Sequence, residues 1–139
     1  MHFEYNIEGG DFSKAGFASS QLKKVLKQLI TDHKVVKRTV VALYEAEVNV
    51  VAHAYLGVVI IDIDTDKIKI QINDKGPGIE DISKAMEEGF STASEKVREM
   101  GFGAGMGLSN IKNNSDDFKI TSEVGVGTKL EIIAYLKTI

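Results

Sequence analysis

Three polar side chains stand one helical turn apart within a mostly apolar segment of the sequence. In LYEAEVNVVAHAY, residues 43–55, these are Glu45, Asn49 and His53. Positions four apart on an α-helix differ by about 40° in azimuth, so the three side chains form one ridge. A polar ridge that is buried without partners costs free energy, so it must face water, a partner or a polar ligand. A solvated helix face is the simplest interpretation of this segment alone, and it leaves Glu47, which lies among the apolar positions, unexplained.

Two glycine-containing segments further along the chain suit the binding of a polar ligand. INDKGPGI places Asp74 at the end of a strand, followed by Gly76-Pro77-Gly78, where the backbone can approach a ligand because glycine has no side chain. GFGAGMGL places glycines at 101, 103, 105 and 107 directly before a helix, whose free N–H groups and positive dipole end suit phosphate oxygens. A tight turn and a flexible linker are the respective alternatives. The second segment is not a P-loop, because no Lys-Ser or Lys-Thr follows it, and it does not match G-x-G-x-x-G.

Hydrophobic periodicity predicts the elements that would position these residues. A strand at Phe3 to Ile7 is followed by an amphipathic helix from Phe17 to Ile30, for which Asp11 or Ser13 is a candidate cap. A second helix, Lys34 to Tyr55, carries the ridge and should be terminated by Gly57. The other predicted elements are a hairpin of Val58 to Ile63 and Lys67 to Ile72, a short helical piece from Ile82 to Glu88, a helix from near Gly107, and closing strands Phe118 to Ser122 and Thr128 to Leu136. This order predicts an α+β fold, a two-layer sandwich in which helices cover one face of a mixed sheet.

Length and composition limit the class of protein. With 139 residues and no low-complexity tract, the chain is predicted to form one domain spanning residues 1–139. A formal net charge of −3 argues against a surface for nucleic acid or anionic membrane. The absence of cysteine excludes disulfides, cysteine-based zinc clusters and thiol nucleophiles. No apolar run is long enough to span a membrane and the N-terminus lacks a signal-peptide pattern, so we expect a cytoplasmic protein with no membrane partner.

Taken together, Glu-x₃-Asn-x₃-His on a helix, Asp-x-Gly-x-Gly after a strand and Gly-x-Gly-x-Gly before a helix resemble the N, G1 and G2 boxes of the GHKL ATPase superfamily. With the closing GVGTKLEI they cover residues 36–133. The resemblance implies the Bergerat ATP-binding fold with a mostly antiparallel sheet, and ATP and Mg²⁺ as cofactors. Within the superfamily the short chain and the form YEAEVNVVAHAY are most similar to bacterial anti-sigma-factor and switch-protein serine kinases. Histidine kinase catalytic domains are similar but usually belong to longer chains.

The resemblance implies roles for individual residues. Asn49 would ligate Mg²⁺, for which an amide oxygen is a suitable hard ligand, and Glu45 would act as general base toward an attacking hydroxyl or water. Asp74 would accept a hydrogen bond from the adenine amino group, and Thr128 would support the adenine through Asp74 and water. On the residues themselves, His53 is interpreted as structural or supporting and not as catalytic, because nothing in the sequence supplies a carboxylate partner or a metal cluster for it. The remaining residues implied in nucleotide binding are Gly76, Gly78, Ile79, Gly103, Gly105, Gly107 and Leu108, with Arg98 of the lid segment as the preferred contact to the terminal phosphate.

These roles predict magnesium-assisted transfer of the γ-phosphoryl group of ATP to a Ser or Thr hydroxyl on a protein partner. The resemblance implies a small STAS-type antagonist as that partner, a sigma factor held in competition, and a homodimer formed through the exposed sheet edge or the N-terminal strand. The alternative is a nucleotide-gated binding module, in which ATP or ADP sets partner affinity without phosphotransfer. A third hypothesis, an ATP-hydrolysing fragment of a larger machine, is disfavoured by the initial Met and the closing strand.

Overall fold

The computed structural model describes residues 1–30, 32–87 and 107–136. Within these ranges the strands are β1 (His2–Glu8), β2 (Leu56–Ile63), β3 (Lys67–Lys75), β4 (Asp117–Glu123) and β5 (Gly127–Tyr135). The helices are α1 (Phe17–Leu29), α2 (His33–His53), α3 (Ile82–Ala85) and α4 (Gly107–Asn113), with a 3₁₀ turn at Phe12–Lys14 before α1. Each predicted element is therefore present, although α3 is a single turn and the predicted end of that piece, Glu88, lies outside the described residues.

The five described strands form one sheet in the order β1-β2-β3-β5-β4. Every ladder between them is antiparallel, so the described sheet is antiparallel throughout and the parallel pairs of a mixed sheet are not found in it. The β2–β3 hairpin turns where predicted, because the carboxylate of Asp64 accepts the N–H groups of Asp66 and Lys67 at 2.7 and 2.9 Å. A short polar side chain that bonds the backbone ahead of it stabilises such turns.

One face of the sheet is buried beneath the helices. Successive strand residues point to opposite faces, and the central strands bury every second side chain. The fully buried strand residues include Val59, Ile61, Ile68, Ile70, Ile72 and Ile132, and the helices cover them with Leu22, Leu26, Leu43 and Val50. The α+β sandwich with helices on one face is thus confirmed. No helix within the described residues is long and apolar enough to cross a membrane.

Helix α2 runs through the middle of the helical layer; it begins within one residue of the predicted start and ends two residues before the predicted end. The Asp32 carboxylate caps its start by accepting the N–H of Lys34 at 3.0 Å. The helix ends at His53, and Gly57 does not terminate it; that prediction was wrong. Gly57 is a β2 residue, and a Cβ there would lie 2.9 Å from Cγ1 of Val50. A glycine is needed at this position because α2 crosses the strand closely.

The start of α1 also departs from the prediction. Asp11 and Ser13 hydrogen-bond each other at 2.5 Å and do not cap the helix. The residue that precedes α1 is Gly16, in the left-handed conformation with φ 92°. It has no side chain that could accept the N–H groups in the first turn of the helix. A helix N-terminus without a capping side chain needs another acceptor.

Glu47 of α2 supplies that acceptor. One carboxylate oxygen accepts the N–H groups of Gly16 and Ala18 at 3.2 and 3.1 Å, and the other accepts the N–H of Ser19 at 2.6 Å. The side chain is only 2% exposed. Glu47, which the helical pattern alone left unexplained, therefore joins α2 to the start of α1, where a negative charge is favoured by the helix dipole.

Candidate functional site

Glu45 lies where α2 meets the start of α4. The side chain is half-buried, and a Cβ placed on Gly107, the first residue of α4, would be 3.8 Å from Glu45 Oε2. The side chain of Asn110, one turn into α4, hydrogen-bonds Glu45. The fold thus brings together the polar ridge and the final glycine of the Gly-x-Gly-x-Gly segment, which are 62 positions apart in the chain.

The surroundings of Glu45 suit a proton acceptor. Burial raises the pKa of its carboxyl group, and the hydrogen bond from Asn110 works in the opposite direction. A carboxylate whose pKa is raised binds a proton more readily than a solvated one, as a general base requires. Asn49, one turn further along α2 on the same ridge, is also half-buried and presents an amide to the same side of the helix.

Removal of the Asn110 side chain is expected to raise the pKa of Glu45 further. The Asn110 amide stabilises the ionised carboxylate, so Asn110→Ala leaves burial unopposed and moves the titration midpoint of Glu45 to higher pH. The midpoint can be followed by NMR of the protein carrying ¹³C-labelled glutamate side chains. The exposed α4 residue Lys112 offers a control, since Lys112→Ala leaves the hydrogen bond in place. A midpoint that stays constant or falls in Asn110→Ala would contradict this account of Glu45.

Asp74 occupies the end of β3, as predicted, and is held by the neighbouring strand. Its Oδ1 atom accepts the backbone N–H of Thr128 at 3.0 Å. Burial raises the pKa of Asp74 and this hydrogen bond lowers it. The Thr128 hydroxyl is turned away to the Ser122 hydroxyl, at 2.9 Å. Thr128 therefore orients Asp74 directly through its backbone, and the half-buried carboxylate keeps capacity for a further donor.

Glycines allow three backbone segments to meet around Asp74. A Cβ on Gly76 would lie 2.9 Å from Cα of Ala54, just past the end of α2, and a Cβ on Gly78 would lie 2.4 Å from the carbonyl oxygen of Glu123. Gly78 also has a φ of 75°, which side-chain-bearing residues rarely adopt. The loop after β3 is consequently packed against both α2 and the β4–β5 turn, which fixes the direction of Asp74.

Two residues that sequence reasoning missed complete this pocket. Gly127 has a φ of 155°, and a Cβ on it would come within 2.1 Å of the Asp74 carbonyl oxygen and 3.1 Å of Asp74 Oδ1. The Ser122 hydroxyl accepts the N–H of Ile79 at 2.8 Å and donates to the carbonyl of Gly127 at 3.1 Å. The available signal was the glycine directly before Thr128, but only the strand pairing reveals what it approaches.

Of the remaining predicted residues, Leu108 and His53 lie within the described part of the chain. Leu108 is 7% exposed and packs in the hydrophobic core, so its side chain supports α4. His53 is half-buried, and burial lowers its pKa, which favours the neutral imidazole. Arg98, Gly103 and Gly105 lie outside the described residues.

The donor set fits a nucleotide with a divalent cation. Asp74 offers a carboxylate acceptor beside Gly76, Gly78 and Gly127, at each of which a Cβ would collide with neighbouring backbone; we call these four residues the Asp74 cradle. Glu45 and Asn49 offer oxygen atoms of the kind that Mg²⁺ and phosphoryl chemistry require. The Asp74 loop packs on Ala54 and the start of α4 lies at Glu45, nine residues or about 13 Å apart along α2. One elongated ligand with a base at one end and phosphates at the other suits this separation.

Fold and site together define the class as an ATP-binding domain of the GHKL type. The chain matches the family model described as Histidine kinase-like ATPase domain over residues 14–134. It belongs to that family.

Curated relatives and a solved structure agree with this assignment. The chain is 36% identical over 104 residues to "Serine/threonine-protein kinase RsbT" of Bacillus subtilis, with 72% of each chain covered. It is 34% identical over 137 residues to "Anti-sigma F factor" of Clostridium acetobutylicum, covering 94% of this chain and 87% of the relative. The solved structure "Mycobacterial sensor histidine kinase MprB" superposes with a TM-score of 0.56 at 16% identity, covering 97% of both chains, and supports the fold alone.

Proposed function

We propose that this protein is an anti-sigma-type serine/threonine kinase, which binds ATP with Mg²⁺ and transfers the γ-phosphoryl group to a hydroxyl of a STAS-type partner protein. The observation that carries the proposal is the arrangement along α2. Glu45 and Asn49 form one ridge beside the start of α4, and the Asp74 cradle is packed against the end of the same helix. A single helix thus presents a proton acceptor and a hard oxygen ligand, and its end packs against the base pocket.

Each residue has a defined task in this proposal. Asp74, oriented by the Thr128 N–H, accepts the adenine amino group, while Gly76, Gly78 and Gly127 allow the close backbone packing that holds Asp74 in place. Asn49 would hold Mg²⁺ through its amide oxygen. ATP would supply the phosphoryl group, and the ion would neutralise the charge of the phosphates.

Glu45 accepts the hydroxyl proton as the bond from the acceptor oxygen to phosphorus forms and the bond to the ADP oxygen breaks. Positioning and charge neutralisation account for most of the rate in such transfers. Ile79, Arg98, Gly103, Gly105, Gly107 and Leu108 complete the proposed nucleotide contacts.

A second candidate is supported by the names of the relatives. The Clostridium acetobutylicum relative, which covers 94% of this chain, is named an anti-sigma factor, and the base pocket does not depend on Glu45. In this version nucleotide binding sets the affinity for a sigma factor or an antagonist, and phosphotransfer is absent.

Two measurements on the purified protein test these proposals. Calorimetry with ATP, ADP and GTP in the presence of Mg²⁺ should detect binding of the adenine nucleotides and not of GTP. Guanine presents a carbonyl oxygen to the Asp74 carboxylate at the position where adenine presents its amino group. Incubation with γ-labelled ATP and purified STAS-domain proteins should then label a Ser or Thr of the partner. Nucleotide binding without label transfer would favour the binding module, and no nucleotide uptake would reject both candidates.

Asp74→Asn is expected to weaken ATP binding by about 10- to 100-fold, since a hydrogen bond to a charged group contributes about 1.5–3 kcal/mol. The new amide can also present its N–H₂ group to the base, so the preference for ATP over GTP should shrink. Calorimetry with both nucleotides gives both effects. The isosteric control Asp66→Asn, at the exposed β2–β3 turn, should leave both affinities unchanged. An unaltered preference for ATP in Asp74→Asn would show that this carboxylate does not read the base.

A further inference from the structure

A groove between α1 and α2 leads to Glu45 from the direction of α1. Its volume is about 490 Å³, within the range of roughly 300–1,000 Å³ of ligand-binding clefts. The lining residues are Ala15, Gly16, Ser19, Ser20, Lys23, Val40, Val41, Tyr44 and Glu45. None of the residues of the Asp74 cradle lines it, so it is separate from the proposed base pocket.

The position of Glu45 suggests that an attacking hydroxyl could reach it through this groove. Glu45 lines the groove, and its Oε2 atom is also close to Gly107 at the start of α4. In phosphoryl transfer the attacking and leaving oxygens lie roughly in line with phosphorus. If the phosphates lie beside α4, the attacking hydroxyl must arrive from another side of Glu45. The groove along α1 provides such an approach.

The walls of the groove are apolar and its rim is basic. Val40, Val41 and Tyr44 supply apolar and aromatic surface, and Tyr44 remains 40% exposed. Lys23 lies at the rim, and Lys24 and Lys27 are exposed on the same helix. Residues 12–30 contain four lysines and no carboxylate, in a chain whose net charge is −3. A local excess of positive charge in an acidic protein selects an acidic partner segment.

The one carboxylate among the lining residues is Glu45 itself. The nearby Glu47 points beneath the groove, where its two oxygens accept the N–H groups of Gly16, Ala18 and Ser19. The rim and the inner end of the groove therefore differ in charge. A segment that fits both carries a negative group for Lys23 and, further in, a neutral hydroxyl for Glu45.

We propose that this groove seats the segment of the partner protein that carries the acceptor Ser or Thr, and that a carboxylate within a few residues of that hydroxyl pairs with Lys23. The inference rests on the proposed kinase function for the role of Glu45. The docking itself is independent of phosphotransfer and can be measured without nucleotide.

The test uses the full-length ¹⁵N-labelled protein and three synthetic twelve-residue peptides with a central serine. The serine is flanked by glutamates in the first peptide, by glutamines in the second and by lysines in the third. In an NMR titration without nucleotide, addition of the peptides should change the amide chemical shifts of Ser20, Lys23 and Tyr44. The acidic peptide should bind about threefold more tightly than the neutral one, as expected for a pair of exposed charges.

Charge reversal supplies the matched variants. Lys23→Glu should abolish the preference for the acidic peptide, while Lys27→Glu, one turn further along α1 and not in the groove, should reduce it less. Tyr44→Ala should weaken the binding of all three peptides to the same extent, because it removes an apolar wall of the groove. The same spectra report whether each variant is folded.

The outcomes separate this inference from the proposed function. Chemical-shift changes at the groove residues and tighter binding of the acidic peptide, without label transfer to any STAS partner, would support docking and contradict the proposed kinase activity. If Lys23→Glu leaves label transfer unchanged, and the peptides change chemical shifts only outside the groove or not at all, the kinase activity is supported and docking in the groove is contradicted. Equal binding of the acidic and neutral peptides would also overturn it.

Discussion

Glu45→Gln is expected to bind ATP as tightly as the unaltered protein and to transfer its γ-phosphoryl group about 10²- to 10⁴-fold more slowly, the usual contribution of a general base. Glutamine has nearly the same shape and can keep a hydrogen bond with Asn110, so the packing between α2 and α4 should persist. It cannot accept the hydroxyl proton. The base pocket around Asp74 lies about 13 Å away along α2, so nucleotide affinity has no reason to change.

Single-turnover transfer of label to the partner at saturating ATP measures this effect, with calorimetry as the measure of binding. Asn110→Ala is the informative comparison, because it keeps the carboxylate and removes only its hydrogen bond. The raised pKa of Glu45 also predicts the pH dependence. Activity should fall as pH drops through that raised pKa, since the protonated group accepts no proton, and in Asn110→Ala the fall should begin at higher pH. Transfer by Glu45→Gln at the original rate would remove Glu45 from the mechanism.

Local rules were sufficient for the parts of the fold and site that depend on short stretches of chain. The ridge of Glu45 and Asn49 follows from helical geometry, and the position of Asp74 at a strand end follows from alternation and the glycines after it. The β2–β3 hairpin follows from its polar turn. In these cases the residues that determine the structure lie within a few positions of one another, so periodicity and turn chemistry were enough.

Contacts between distant residues were not accessible in the same way. Asn110 meets Glu45 across 65 positions, and Gly127 approaches Asp74 across 53. Glycine after a helix usually terminates it, whereas Gly57 here allows α2 to cross closely over β2. Each miss concerns a residue whose role is set by which strand or helix lies opposite it. The sequence names the residue type, and only tertiary packing supplies the partner.

Glu47 shows the same limit and has the larger consequence for stability. Its position on the apolar side of α2 was a clear anomaly, and Gly16 before α1 was a helix start without a capping side chain. Each observation explains the other once the two helices are packed. Burial raises the pKa of Glu47 and the N–H groups of Ser19, Ala18 and Gly16 lower it. Three donors that converge on its oxygens suit the ionised carboxylate.

Glu47→Ala is therefore expected to reduce the free energy of unfolding by about 3 kcal/mol, since it strips the acceptor from three backbone N–H groups, of which those of Ala18 and Ser19 are buried. Against a typical total of 5–15 kcal/mol, this is a large part of the stability of a domain of this size. Glu47→Gln keeps one acceptor oxygen and should cost about 1–2 kcal/mol. Urea denaturation followed by circular dichroism measures both changes, and the midpoint should fall while the slope stays constant.

The control stands two residues away on the same helix. Glu45→Ala removes an identical side chain that accepts no backbone N–H within the described residues and whose ionised form burial disfavours, so the free energy of unfolding should stay within about 1 kcal/mol of the unaltered value. The two glutamates of α2 should thus separate stability from chemistry, with Glu47 governing the first and Glu45 the second. Equal losses of stability in Glu45→Ala and Glu47→Ala would mean that the cap on α1 contributes nothing specific. A Glu47→Ala protein of unchanged stability would show that water replaces the carboxylate at no cost.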